Sequence, residues 1–248
     1  MNYAIILSGG IGTRMEMGDF PKQYFEIQGK MILEYTLDRF QNAQEVDAIV
    51  VVMAEHWWEK LREKLCSQYS KLIGYAKPGS NRQESILSGL KFCMARSGSE
   101  DDIVIIHDGV RPLVTVDLIG KCFEAIREYE GCLPVIPASD TIYYSEDGKG
   151  LNKLMDRSRL YMGQSPEAFL LHKYYMAHDG KDREFLSRMR GTTEIAYAAG
   201  MKICLLPGET LNFKITTKAD LRRFRLLVED SSGDGFKDNY QYFNPDAL

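Results

Sequence analysis

A mainly parallel α/β sheet with helices on both faces is the fold this sequence predicts. Three observations predict it. The β-branched runs at 3–7 (YAIIL), 48–53 (AIVVVM) and 103–107 (IVIIH) are apolar throughout, as strands buried on both faces are. Amphipathic stretches of helical spacing separate them, the pattern of strand–helix–strand crossovers. The first run also passes straight into a glycine-rich turn, Ser8-Gly-Gly-Ile-Gly12, as strand-to-helix connections often do.

In order along the chain, helices are expected at 31–40, 56–68, 82–96 and 116–130. A short strand is expected at 72–75 and a further one at 131–137. The pattern then breaks. Residues 139–155 read as two short strands around a turn at 147–150, a hairpin arm inserted between core elements. Helical segments follow, then a last strand at 202–206 and a closing helix at 219–229. The reading is one domain over 1–230, with the arm at 139–163 and a tail at 231–248.

Apolar residues make up 44% of the 248, enough to bury a full core. The 31 basic and 35 acidic residues give a net charge of −4, which argues against the broad positive face that nucleic-acid binding needs. An anionic ligand must therefore meet a local basic cluster. Cys66, Cys93, Cys122, Cys132 and Cys204 show no close pairing and read as free thiols in a reducing compartment. No signal-type leader and no membrane-length apolar run is found, so a cytoplasmic protein is expected.

Four segments carry chemistry. In Leu7-Ser-Gly-Gly-Ile-Gly-Thr-Arg-Met15, the amides of Ser8, Gly9, Gly10, Gly12 and Thr13 can face phosphate oxygens, and Arg14 adds a permanently charged fork. A plain turn is the alternative. Lys22, in Pro21-Lys-Gln23, is either a solvated lysine or a movable charge returning to the same anion. Gly79-Ser-Asn-Arg-Gln-Glu-Ser85 is a helix start capped by Ser80 or Asn81, or a base-reading segment. On the second reading Gly79 and Ser80 approach the base, Ser85 bonds its edge and Arg82 lies on phosphate. His107-Asp-Gly-Val-Arg-Pro112 closes a buried strand, where ligands of open α/β sheets bind. There Asp108 can touch a metal or a sugar hydroxyl and Arg111 an incoming phosphate, or the two form a structural pair. His107 reads as a core histidine. Arg157 and Lys214 add further cations.

Taken together and in order, the words LSGGIGTRM, PKQY, GSNRQES, HDGVRP, DTI, DR, GQSP and NFKITTKADL resemble one family over nearly the whole chain. It comprises the cytidylyltransferases of methylerythritol 4-phosphate and their ribitol 5-phosphate relatives. The resemblance implies a Rossmann-like nucleotidyltransferase fold. It implies transfer of CMP from CTP to a small polyol phosphate with release of pyrophosphate, a Mg²⁺ cofactor, and a homodimer formed through the arm. Arg14 and Lys22 would stabilise the transition state, with Lys214 nearby. The segment from Gly79 to Ser85 would read cytosine. Asp108 and Arg111 would orient the acceptor, with Ser165 near and Thr141 and Arg157 supplied by a neighbouring subunit.

Two stretches depart from the family's habit. Gly191-Thr-Thr-Glu194 stands where many relatives carry Thr-Asp, and Gln164-Ser-Pro-Glu167 where Gln-Thr-Pro-Gln is usual. HDGVRP and Leu160-Tyr161-x-Gly163-Gln164 lean toward ribitol 5-phosphate over 2-C-methyl-D-erythritol 4-phosphate as acceptor. Competing readings are a sugar-1-phosphate nucleotidyltransferase, a dinucleotide-dependent dehydrogenase and a catalytically silent nucleotide-binding relative. The dehydrogenase would want a third glycine where Met15 stands.

Overall fold

The computed structural model describes residues 1–10 and 20–231. Its elements, in chain order, begin with β1 (Asn2–Leu7), the short pair β2 (Glu26–Ile27) and β3 (Lys30–Met31), α1 (Ile32–Asn42), β4 (Ala48–Val52), α2 (Glu55–Gln68) and β5 (Leu72–Ala76). Next come α3 (Arg82–Met94), β6 (Ile103–Asp108), α4 (Val116–Ala125) and β7 (Gly131–Pro137). The arm pair is β8 (Tyr143–Tyr144) and β9 (Lys153–Leu154). Completing the chain are β10 (Tyr161–Gly163), β11 (Glu167–Leu170), α5 (Leu171–His178), α6 (Arg183–Arg188), α7 (Thr192–Ala198), β12 (Ile203–Pro207) and α8 (Lys218–Ser231).

One eight-stranded sheet organises the molecule, in the order β10-β7-β11-β6-β1-β4-β5, with β12 also paired to β7. Strands β6, β1, β4 and β5 are mutually parallel, and β12 runs parallel to β7. This is the predicted α/β architecture, with one feature that was not foreseen. Strand β11 enters antiparallel between β6 and β7, pairing Phe169 with Val104 on one side and with Gly131 on the other. The predicted fourth helix ends five residues early, at Ala125, where the backbone tightens into three-residue turns such as Arg127 N to Glu124 O.

Alternate residues of each central strand feed opposite cores. Ala4, Ile6, Ile49, Val51 and Ile105 pack under α1, α2 and α4. Tyr3, Ile5, Val50, Val104 and Ile106 pack under α3, α5 and α7. A third cluster seats α8, through Leu221 and Phe224, against Ile32, Val110 and Ile215. The first and third clusters meet around α1 and hold the loop after β6 from two directions.

The arm forms as the sequence predicts. Asp147 Oδ1 accepts from the amides of Lys149 and Gly150, and Gly148 takes a positive φ of 71°. The last three residues assigned to the arm, 161–163, return to the main sheet against β7.

Phe40 has no exposed surface and its ring lies 5.0 Å from that of His107, so it joins the first core to the strand that ends at the site. Phe40→Ala is expected to cost about 3–5 kcal/mol of stability, measured by urea unfolding.

Candidate active site

The carboxyl ends of β1, β4 and β6 open into a cleft of about 490 Å³. Each wall has a local cause. The first comes off β1, where the Ser8 amide donates to Val52 O at 2.8 Å and so keeps the turn against the sheet. A Cβ on Gly9 would stand 2.5 Å from Pro78 Cβ, so only glycine allows the two loops to close on each other. Gln23 Nε2 donates to Ser8 O at 2.7 Å and to Gly10 O at 2.9 Å. By engaging these carbonyls it leaves the far side of the loop to other groups. Sequence reasoning weighed Lys22 in that segment and missed the role of Gln23. Lys22 itself lines the cleft from the single turn Lys22–Tyr24. Gly12, Thr13 and Arg14 lie outside the described residues.

The second wall is the start of α3. Asn81 Oδ1 accepts from the Glu84 amide at 2.9 Å, so Asn81 is the cap. Ser85 Oγ accepts from the Gly79 amide at 3.0 Å and donates to Asn81 O at 2.9 Å. Ser80 Oγ donates to Glu84 Oε2 at 2.8 Å. The capping reading is therefore realised, and Gly79, Ser80, Arg82 and Ser85 nevertheless all line the cleft.

Asp108 forms the floor. Its Oδ1 lies 3.2 Å from Arg82 Nη2, and its Oδ2 lies 2.9 Å from Lys214 Nζ and 3.3 Å from Arg111 Nε. Its amide donates to Ser165 Oγ at 3.1 Å. Burial alone would raise the Asp108 carboxyl, but Arg82, then Lys214 and Arg111, hold it well below the usual carboxylate range. Arg111 Nη1 donates to Asn212 O at 2.7 Å, and Asn212 Nδ2 to Ser165 O at 2.8 Å. Lys214 is thus carried into the site by a segment tied to both neighbours.

The Asp108–Arg111 pair is structural; Asp108 also lines the cleft, and both residues line a smaller pocket beside it. Arg82, expected on phosphate, lines the cleft while pairing with Asp108, and lies 4.0 Å from Glu167. As for metal, both Asp108 oxygens face cations, and the described residues hold no group of three His, Cys, Asp or Glu fit for an ion. The protein side chains described do not form a Mg²⁺ cage.

A second pocket of about 330 Å³ adjoins the first and shares Arg82, Asp108 and Lys214 with it. Arg111, Gln164, Ser165, Glu167, Thr192, Thr193 and Glu194 complete its polar lining. The two departures from family habit meet there: Thr193 Oγ1 donates to Glu167 Oε2. Gln83, beside Arg82, donates to Gly191 O at 2.7 Å and steadies the same wall. Neither contact is visible from local sequence. Thr141 and Arg157 do not join either pocket. They stand exposed on the arm, where Arg157 Nη1 donates to Ser139 O at 2.9 Å.

Behind Asp108, His107 is fully buried, and its Nε2 donates to Arg111 O at 3.1 Å, which leaves Nδ1 without a partner among the described residues. Burial lowers its pKa to about 3. The native state therefore refuses a proton that the unfolded chain accepts below about 6.5, so this histidine subtracts stability as pH falls. His107→Gln is expected to flatten the acid limb of the stability curve by about 1.4 kcal/mol per pH unit between pH 6.5 and 4, read from urea unfolding of both proteins.

With the geometry in place, comparison with known proteins is direct. The family model IspD, 2-C-methyl-D-erythritol 4-phosphate cytidylyltransferase, matches residues 2–230. A ribitol-5-phosphate cytidylyltransferase of Lactiplantibacillus plantarum is 34% identical over 235 residues, covering 94% of this chain and 100% of the relative. A 2-C-methyl-D-erythritol 4-phosphate cytidylyltransferase of Rubrobacter xylanophilus is 38% identical over 224 residues, covering 88% and 90%. The crystal structure of 4-diphosphocytidyl-2C-methyl-D-erythritol synthase from Anaerococcus prevotii superposes with a TM-score of 0.77 at 24% identity, over 92% of this chain and 96% of that one, a likeness of fold.

Proposed function

Because this chain belongs to the 2-C-methyl-D-erythritol 4-phosphate cytidylyltransferase family and is a CTP-dependent cytidylyltransferase, we propose that its acceptor is a linear polyol phosphate, D-ribitol 5-phosphate in preference to 2-C-methyl-D-erythritol 4-phosphate. The observation that carries the reading is the meeting of two pockets at one floor, Asp108, with Lys22 on one side and Arg111 on the other. Relatives named for ribitol 5-phosphate match over nearly their full length, among them one of Vibrio parahaemolyticus at 30% identity over 92% of this chain.

On this reading the triphosphate occupies the larger cleft and the polyol phosphate the smaller pocket. A phosphate monoester oxygen is already a nucleophile at neutral pH, so no general base is needed. It forms a bond to the α-phosphorus of CTP as the bond to the pyrophosphate oxygen breaks. The chain's work is to align two anions and to stabilise the charge that builds between them. Lys22 and Arg14 serve the α-phosphate and the leaving group, with Lys214 at the junction. Arg111 orients the incoming phosphate. A Mg²⁺ ion bound here would be held mainly by the nucleotide rather than by the described side chains, and would supply charge neutralisation at the triphosphate.

A cytoplasmic location belongs to this reading, and no helix among the described residues is long and apolar enough to cross a membrane. A homodimer through the arm is supported by exposed apolar side chains there: Tyr143 at 62%, Leu151 at 66% and Leu154 at 61%. In such a dimer Thr141 and Arg157 reach the partner's acceptor pocket.

Pyrophosphate release with CTP, measured side by side on D-ribitol 5-phosphate and 2-C-methyl-D-erythritol 4-phosphate, tests the acceptor; turnover of the second alone would overturn it. Lys22→Ala is expected to lower kcat about 100- to 1000-fold with a much smaller change in KM for CTP. Lys22→Arg should restore little, since a planar fork does not replace a compact ammonium. Leu154→Asp should shift the mass seen by light scattering from dimer to monomer.

A further inference from the structure

Glu167 is a buried carboxylate in the smaller pocket, and nothing in the transfer chemistry derived above uses it. It opens β11 at the end of the sheet, where its register partner is Ile106, two residues before Asp108. Its Oε2 accepts the Thr193 hydroxyl, which fixes the rotamer. Its Oε1 faces Arg82 Nη2 across 4.0 Å, too far for a direct hydrogen bond. Arg82 in turn spends Nη2 on Asp108, while its Nη1 is buried without a hydrogen-bond partner among the described residues. The pair is therefore incomplete in a specific way. An oxygen lying about 2.8 Å from each group would bridge the gap as a hydroxyl, donating to the carboxylate and accepting from the guanidinium.

The charges decide which part of the acceptor goes there. A phosphate cannot approach Glu167 without repulsion, whereas Arg111 and Lys214 stand on the other side of Asp108. The phosphate end belongs with those two cations and the carbon chain with Glu167. Burial raises the Glu167 carboxyl and Arg82 opposes the shift, so the group is costly to leave unpaired. A methyl or methylene at this position would offer neither a donor nor an acceptor.

We infer that Glu167, with Arg82, reads one hydroxyl of the acceptor's carbon chain and so makes the pocket selective for polyhydroxy chains over deoxygenated ones. Thr193 is the positioning residue that holds the carboxylate. The inference rests on the polyol-phosphate reading of the pocket.

The test uses full-length enzyme with CTP, D-ribitol 5-phosphate and its 1-, 2-, 3- and 4-deoxy analogues. With the wild type, one analogue should fall about 10- to 100-fold in kcat/KM below the parent, the scale of a hydrogen bond to a charged group. In Glu167→Ala that penalty should shrink to within about twofold, while KM for CTP stays within about threefold. Glu167→Gln keeps the shape and one acceptor and should fall between the two. Thr193→Val should raise KM for the acceptor more than it lowers kcat. CTP binding by calorimetry checks that each variant is folded. The inference is overturned if no deoxy analogue, the 4-deoxy compound included, falls below the parent with the wild type, or if Glu167→Ala and Glu167→Gln keep the full wild-type penalty on every analogue. If the wild type uses 2-C-methyl-D-erythritol 4-phosphate instead, the acceptor reading fails alone, and the same comparison on deoxy analogues of that substrate decides the inference. If neither acceptor turns over, both fall.

Discussion

One carboxylate with three cations around it organises this protein. Asp108 closes β6, and the groups that pair with it come from three separate places: Arg82 from the first residue of α3, Arg111 from the turn after β6, and Lys214 from the segment that follows β12. A buried carboxylate is costly unless it is paired and hydrogen-bonded, so the fold can tolerate Asp108 only if these elements arrive together. In return Asp108 spaces three cations that would otherwise repel one another. Arg82, Arg111 and Lys214 outnumber Asp108 and Glu167 by one charge, a local surplus in a chain whose net charge is −4. That surplus lies where two pockets join, and it is what an anionic nucleotide and an anionic acceptor both require.

Much of this was legible in the sequence because its carriers are contiguous. The strands β1, β4 and β6 carry long apolar runs, and both faces are covered. The loops that build the cleft directly follow them, so LSGG and HDGVRP announce their own positions. What the sequence does not announce is pairing across distance. Strand β11 has four residues, begins with a glutamate and runs straight into α5, so no period distinguishes it from a helix start. Its place between β6 and β7 depends on Ile103 and Gly131 accepting partners far along the chain. Gln23 is a similar case. Beside a lysine it looks like part of a loop, and only the fold shows its amide under the carbonyls of Ser8 and Gly10.

Arg82 shows how a candidate residue can have an unexpected partner. Its position at the start of α3 suggested a phosphate contact. The structure places its guanidinium on Asp108, with Glu167 beyond it, so that it lines both the larger cleft and the smaller pocket. Its neighbour Gln83 reinforces this by donating to Gly191 O, in the segment that leads to Thr193. His178 Nε2 lies 3.2 Å from Gln83 Oε1, and the Tyr174 hydroxyl donates to Thr192 O at 2.9 Å, so buried groups of α5 brace the same stretch.

The two departures from family habit then acquire a common physical meaning. Glu167 without the Thr193 hydroxyl would be a buried carboxylate with one weak, distant cation. Thr193 without Glu167 would leave its hydroxyl in the pocket with no acceptor on β11. Each makes the other tolerable, and together they place a negative group on the wall opposite Arg111. Arg111 and Lys214 pair with Asp108 Oδ2, while Glu167 faces Arg82 across 4.0 Å, so the pocket's two sides differ in charge and in free hydrogen-bonding capacity. On the proposed reading, an acceptor that is anionic at one end and rich in hydroxyls at the other is favoured with its phosphate toward Arg111 and Lys214. Reactions that depend on placing two anions in line gain more from such an imposed orientation than from added binding strength, because only the aligned arrangement lowers the barrier.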